Sequence, residues 1–269
     1  MPCLHRGLPL RSLHGFILTY YQSHMRTYRS FSWKDTNLRV SCPDFERVTR
    51  TVIARRRELE QYIARHPQFL HSLVPLDLLD DAPEAARRMT DAASLTGVGP
   101  MAAVAGTLAQ LGAEAALTHG CQEAIVENGG DIYLASDRDV LVGIHTGVEG
   151  LLGSELAFLI SPAEMPLALC SSSSSMGHSL SLGNCDLASV VAKDASLADA
   201  AATLVCNHIR LEKDLAVVLE RIGCIPGIDG ILAVRQGKIA LWGQLPKLVR
   251  SQDVRVKNKI TRHGTDWNC

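Results

Sequence analysis

Two short stretches of this chain carry residue types that could do chemistry together. The first is Glu127-Asn128-Gly129-Gly130-Asp131-Ile132, set between strand-like runs at 124–126 and 132–135. Asn and Gly tolerate positive φ, so the stretch reads as a tight hairpin turn. Its glycines would also bare backbone N–H groups, with the carboxylates of Glu127 and Asp131 and the amide of Asn128 converging on a bound group. The second stretch is alanine-rich, residues 197–207, and reads as a helix capped by Asp194 or Ser196. Asp199 then falls in the first turn, where the helix dipole favours a carboxylate. Thr203, four residues on, shares its face. A carboxylate, a hydroxyl and nearby backbone carbonyls are hard oxygen ligands, suited to Mg²⁺ or Ca²⁺ rather than zinc. The plainer alternative stays open: a hairpin, and a helix-start carboxylate that only offsets the dipole.

Two further segments join these candidates. Thr96-Gly97-Val98-Gly99-Pro100 leads into an alanine-rich run, 101–117, with the proline placed for a helix N-terminus. Glycines there can bind phosphate through backbone N–H groups. The Walker lysine and a G-x-G-x-x-G pattern are both absent, so a packing role for Gly99 is the alternative. A five-serine run, 171–175, follows strand candidates at 157–160 and 167–170 and precedes Met176-Gly177-His178. It is either a flexible loop or a segment presenting the hydroxyls and N–H groups of Ser173, Ser174 and Ser175 to a ligand. His178 is a candidate general acid or base, a ligand donor, or a structural histidine.

Other elements must position these groups. Residues 38–41 read as a strand. Residues 45–65 read as an amphipathic helix whose Arg55-Arg56-Arg57 run is its solvated face. Helices are also expected at 83–90 and 214–222, and a hairpin through Gln236-Gly237 joins strands at 230–235 and 238–242. The chain has 269 residues, 46% of them hydrophobic, which is enough for one sizeable core. A net charge of −1 and 5% aromatics exclude a broad electrostatic or stacking case for nucleic acid or an acidic membrane. The eight cysteines include no C-x-x-C, so neither a zinc knuckle nor a disulfide scaffold is implied. Most of them read as buried thiols in a reducing cytoplasm, with Cys185 next to a possible pocket.

Taken in order, these motifs resemble the ApbE superfamily, whose characterised members are FAD:protein FMN transferases. They use Mg²⁺ to cleave FAD and attach FMN to a target threonine. The resemblance rests on GGDI after an apolar strand and on Ala198-Asp199-Ala200-Ala201-Ala202-Thr203 some seventy residues later. Gly99-Pro100-Met101-Ala102-Ala103-Val104-Ala105-Gly106, Val126 to Leu134 (VENGGDIYL) and Gly177 to Gly183 (GHSLSLG) resemble a smaller, functionally uncharacterised family within it. The resemblance implies an α+β, ApbE-like fold with antiparallel-rich sheets covered by helices. It implies Mg²⁺ held by Asp199, Thr203 and the Ala202 carbonyl. It implies FAD or FMN held at Gly99, Asn128, Gly129, Gly130, Asp131 and the serines Ser173 to Ser175.

The chain also departs from the transferases. It lacks their Met-Gly-Thr element, the longer hairpin after the serine–glycine segment, and the following His-Ile-x-Asp/Asn-Pro motif. Asp229-Gly230 continues as Ile231-Leu232-Ala233 and offers no threonine acceptor. The expected function is therefore flavin-nucleotide binding, with transferase or FAD-cleaving activity one alternative and a non-catalytic nucleotide-binding protein the other. The ligand expected is a small molecule, with neither nucleic acid nor membrane as partner. An acceptor protein is not identified, and a homo-oligomer is compatible with the pattern. Residues 25–249 form the expected domain. Residues 1–24 are expected to be a disordered extension or a mis-called start, because the family resemblance begins just after Met25 and the apolar run 15–21 is too short for a signal-peptide core or a membrane span. Residues 250–269 are polar and read as a disordered tail.

Overall fold

The computed structural model describes residues 20–21, 26–145, 156–174 and 183–251, with only the backbone for 20–21 and 251. The fold is mixed, with helices on one face of a large antiparallel sheet. Eight strands form that sheet in the order β11-β10-β9-β8-β5-β4-β3-β2. They are β2 (Arg29–Trp33), β3 (Thr36–Ser41), β4 (Ala124–Asn128), β5 (Asp131–Ala135), β8 (Leu167–Ser172), β9 (Leu187–Ala192), β10 (Ile228–Arg235) and β11 (Lys238–Gly243). A second sheet has the order β1-β12-β7-β6, built from β1 (Tyr20–Tyr21), β6 (Val140–Gly143), β7 (Leu156–Ile160) and β12 (Lys247–Ser251). Tyr20 and Tyr21 pair in parallel with Arg250 and Ser251, so strand pairing reaches into both segments flanking 25–249.

Side-chain alternation decides the layers. Along β8, Ala168 and Cys170 face the helices, while Leu167 and Leu169 face the second sheet. The helix face is rich in alanine, so helices can lie close to it. The opposite face carries larger side chains that pack on Phe158 and Ile160. β9 is buried at every position because both of its faces are covered.

Helices α1 (Phe45–Arg65), α2 (Gln68–His71), α3 (Glu84–Thr96), α4 (Val104–Thr118), α5 (Ala195–His208) and α6 (Asp214–Gly223) form the covering layer. Asp44 caps α1 by accepting from the Arg47 amide at 3.0 Å. The arginine run on α1 is not wholly solvated. Arg56 is 1% exposed, ion-paired with Asp35 and Glu60 and hydrogen-bonded to Thr36. It ties α1 to the tip of the β2–β3 hairpin, a contact that a run of like charges does not announce. α3 extends to Thr96, beyond the residues 83–90 expected, and ends at Gly97 in the left-handed conformation. No single described helix is long and apolar enough to cross a membrane.

The Asn128–Asp131 turn is a two-residue hairpin connecting β4 and β5, with Gly129 at φ 64° and Gly130 at φ 104°. Both central positions need positive φ, which explains the glycines without a ligand. A Cβ at Gly130 would meet nothing within 4 Å, so strain in the turn is the only local penalty. Gly130→Ala is expected to cost roughly 1–2 kcal/mol. Urea denaturation checks this, and an unchanged midpoint would show that the turn relaxes away from positive φ.

Candidate functional site

α4 and α5 cross with their N-terminal turns in contact, and each satisfies the other's free amides. α5 begins at Ala195, where Asp194 accepts from the Leu197 amide at 2.9 Å. Its first amide, Ala195 N–H, donates to Gln110 Oε1 of α4 at 2.7 Å. In return, Asp199 Oδ2 of α5 accepts from the Gly106 amide of α4 at 2.9 Å, and the Ala105 amide also donates to its carboxylate. α4 has no side-chain cap of its own at Ala103. Asp199 therefore does for α4 what an N-cap residue does, from another helix. Thr107 completes the junction by donating to Ser196 Oγ at 2.8 Å.

This contact corrects one expectation. Asp194 caps α5 and the helix starts at Ala195, so Asp199 lies in its second turn and not its first. The N-terminus that its charge faces belongs to α4.

The hairpin turn meets the same junction. Asn128 and Asp131 lie opposite each other in register, and the pleat turns both toward the helices. Asn128 Nδ2 donates to Ala105 O at 3.1 Å. Asp131 Oδ1 accepts from the Ser171 amide at 3.0 Å. Glu127, one residue from Asn128, points to the other face and pairs with Arg39 at 3.2 Å. The two carboxylates flanking the glycines therefore do not converge. Asp131 instead converges with Asp199.

Both carboxyls are buried, at 5% exposure for Asp131 and 8% for Asp199. Burial pushes Asp199 up to about 7, against the pull of the Gly106 and Ala105 amides. Burial, and then the charge of Asp199, hold Asp131 well above the ordinary carboxylate range, against the Ser171 amide and the Cys170 thiol. A raised carboxyl binds its proton more tightly in the folded state. Its contribution to stability is full below about pH 4 and is lost as pH rises toward about 7. Asp44, Asp214 and Glu123 are lowered and act in the opposite sense, so a variant difference is the clean readout. In chelator, Asp199→Asn is expected to gain melting temperature relative to the parent as pH rises from 4 to 7. A difference independent of pH would show that Asp199 titrates normally.

The described ones among the remaining expected residues have surroundings of their own. Thr203 lies one turn along α5 from Asp199 and is buried. Ala202 is inside the same helix, where a carbonyl is engaged by the amide four residues on. Gly99 packs against the chain at Ser72, since a Cβ there would fall 1.8 Å from Ser72 O. Ser173 turns its hydroxyl to Asp186 O at 2.7 Å, and Ser174 is exposed, with its amide on Cys185 O. Ser175 and His178 lie outside the described residues. Cys185 is fully buried, its thiol directed to Leu187 O and in contact with Cys206.

Sequence reasoning gave no site role to Gly106, Ala105, Gln110, Thr107 or Ser171. A helix crossing leaves no local signal, and Gly106 reads as one more small residue in an alanine-rich run. Its function appears only from the approach of α5. A Cβ at Gly106 would fall 2.4 Å from Ala195 O and 3.0 Å from Asp199 Cβ. Ser171 could have been found by register, because β8 pairs with β5 at Leu169 and Ile132.

A family model described as AbpE bacteria matches residues 22–222. A UPF0280 protein from Methanocella arvoryzae is 43% identical over 201 residues, covering 75% of this chain and 81% of its own. The chain belongs to the UPF0280 family. A second UPF0280 protein, from Archaeoglobus fulgidus, is 39% identical over 233 residues, covering 83% of this chain and 94% of its own. This UPF0280 chain has an ApbE-like fold. The flavin transferase ApbE of Vibrio cholerae superposes with a TM-score of 0.52 at 12% identity, over 85% of this chain and 98% of that one. The flavinyl transferase ApbE of Pseudomonas stutzeri gives 0.52 at 12% identity, over 91% and 100%. At that identity the likeness concerns the fold.

The donor set at the UPF0280 junction suits a hard divalent cation. Two buried carboxyls and a threonine hydroxyl are oxygen donors of the right type. Among the described residues, burial leads the influences on both carboxyls, followed for Asp131 by the charge of Asp199. A cation would relieve the repulsion that raises Asp131.

Proposed function

We propose that this protein binds a flavin nucleotide, FAD or FMN, together with Mg²⁺ at the junction of the Asn128–Asp131 turn with α4 and α5. The observation that carries the reading is the pairing of Asp131 with Asp199 beside the α4 N-terminus, from parts of the chain far apart in sequence. Asp199 and Thr203 hold the cation, with Asp131 as a second carboxylate. The Ala202 carbonyl contributes only the lone pair left free by its helix. When bound, Mg²⁺ neutralises diphosphate charge and polarises the phosphorus. The chain's own groups position and desolvate: Asn128 fixes the α4 entry through Ala105 O, and the Ser171 amide fixes the Asp131 carboxyl. FMN transfer or FAD cleavage extends this reading by analogy with the transferases that share the fold.

A second reading has an observation of its own. Asp199 already accepts two α4 amides, and the described residues contain no group of three or more His, Cys, Asp or Glu side chains placed to hold a metal. In that reading Asp199 is a helix cap in a nucleotide-binding protein without metal chemistry. Mass spectrometry of ligands released from the purified protein, followed by incubation with FAD and Mg²⁺, separates the two. Mg²⁺-dependent appearance of AMP supports the enzyme. A retained flavin with no AMP formed supports the binding protein. Absence of any flavin, bound or turned over, removes both flavin readings.

A further inference from the structure

Among the described cysteines, two pairs place one thiol against another, and the two pairs differ in access. Cys185 and Cys206 touch inside the core and are both fully buried. Cys42 and Cys121 are each partly exposed and free. Strand register brings the two chain segments of the second pair together. β3 and β4 run antiparallel with Ser41 opposite Ile125. Cys42 follows Ser41 directly, and Cys121 lies just ahead of β4, where its amide bonds to Ala116 O at 3.2 Å and turns the chain back under the end of α4. Both side chains rest on the same apolar cluster beneath the helices, and the two thiols are close enough for Cys121 to influence Cys42. Two thiols in contact, open to solvent on one side, are the arrangement that thiol–disulfide exchange requires.

We propose that Cys42 and Cys121 are a redox-reactive dithiol that closes to an intramolecular disulfide by exchange with a small-molecule disulfide. Burial, with Cys121 beside it, pushes the Cys42 thiol up to about 12, so Cys42 is given the second, resolving role. The Cys121 thiolate attacks one sulfur of the small disulfide. Its S–S bond breaks, one thiolate leaves and takes a proton, and Cys121 carries the other half as a mixed disulfide. Cys42 then loses its proton to water and attacks the Cys121 sulfur, expelling the second small thiol. Two protein thiols are oxidised to one disulfide, and one small disulfide is reduced to two thiols. The new bond ties the β3–α1 corner to the α4–β4 connection, which constrains the unfolded chain more than the folded one.

The test uses the full chain and oxidised glutathione. After incubation, free thiols are alkylated and the protein is digested without reduction for mass spectrometry. The expected product is a cross-linked peptide pair containing Cys42 and Cys121, with Cys185 and Cys206 fully alkylated once the protein is denatured. Cys42→Ser is expected to trap glutathione on Cys121, because the resolving thiol is gone. Melting temperature of each variant before oxidation shows that it is folded. Cys42 and Cys121 both alkylated in the parent, or each carrying its own glutathione with no cross-link, would overturn the proposal. A cross-link confined to Cys185 and Cys206 would overturn it as well.

Discussion

Asp199→Asn is expected to abolish the Mg²⁺-dependent rise in melting temperature while leaving the cation-free protein at pH 8 at least as stable as the parent. The asparagine oxygen still accepts from the Gly106 amide, so α4 keeps its cap. The substitution removes the buried charge that raises Asp131, and with it one of two repelling carboxylates. Asp199→Ala is the contrasting variant. It leaves the Gly106 and Ala105 amides without their acceptor and should cost about 1–3 kcal/mol in any buffer. A bound cation stabilises by mass action, so the parent should gain melting temperature with added Mg²⁺. Thr203→Val should weaken that gain less than Asp199→Asn, since a neutral hydroxyl contributes less than a carboxylate. An identical Mg²⁺ shift in parent and Asp199→Asn would place the cation elsewhere and leave Asp199 as a helix cap.

Gly106→Ala is expected to have the largest effect on the fold around the site. The added Cβ meets the Ala195 carbonyl at 2.4 Å, and a backbone atom cannot rotate away. α4 and α5 must separate, which breaks the Asp199 contact and the Gln110–Ala195 bond together. Overpacking of this kind costs roughly 1–3 kcal/mol or more. For a domain of this size that corresponds to about 2–4 °C of melting temperature per kcal/mol. Gly112→Ala is the control. Its Cβ meets Val52 Cγ2 at 2.9 Å and Val48 Cγ1 at 3.2 Å, on the side of α4 that faces α1. It should destabilise the protein and leave its response to Mg²⁺ and FAD intact. Gly106→Ala with the parent's melting temperature and ligand response would show that the α4–α5 contact does not build the site.

Much of the fold was legible because its signals are local. α1 runs from Phe45 to Arg65 as its apolar spacing predicts, and the Gln236–Gly237 hairpin forms with both residues at positive φ. The order of the motifs pointed to the ApbE-like architecture. What the sequence hid depends on contacts between distant segments. Asp194 and Ser196 were equally good caps on paper. The choice of Asp194 moved Asp199 one turn deeper and gave it to α4. Arg56 read as solvated because Asp35, its neutralising partner, comes from a hairpin on another part of the chain. Asp131 and Glu127 looked like one carboxylate pair, and the strand pleat separated them. The partner of Asp131 is Asp199, which no local spacing reveals.

The most direct test of the central claim is calorimetric titration of FAD into the purified, cation-stripped protein, once with Mg²⁺ and once with chelator. Binding that appears with Mg²⁺ and disappears in chelator, and that Asp199→Asn loses while remaining folded, is the result predicted here. FAD bound equally well in chelator, or not bound at all in Mg²⁺, would contradict the claim that Asp131 and Asp199 hold a cation for a flavin nucleotide.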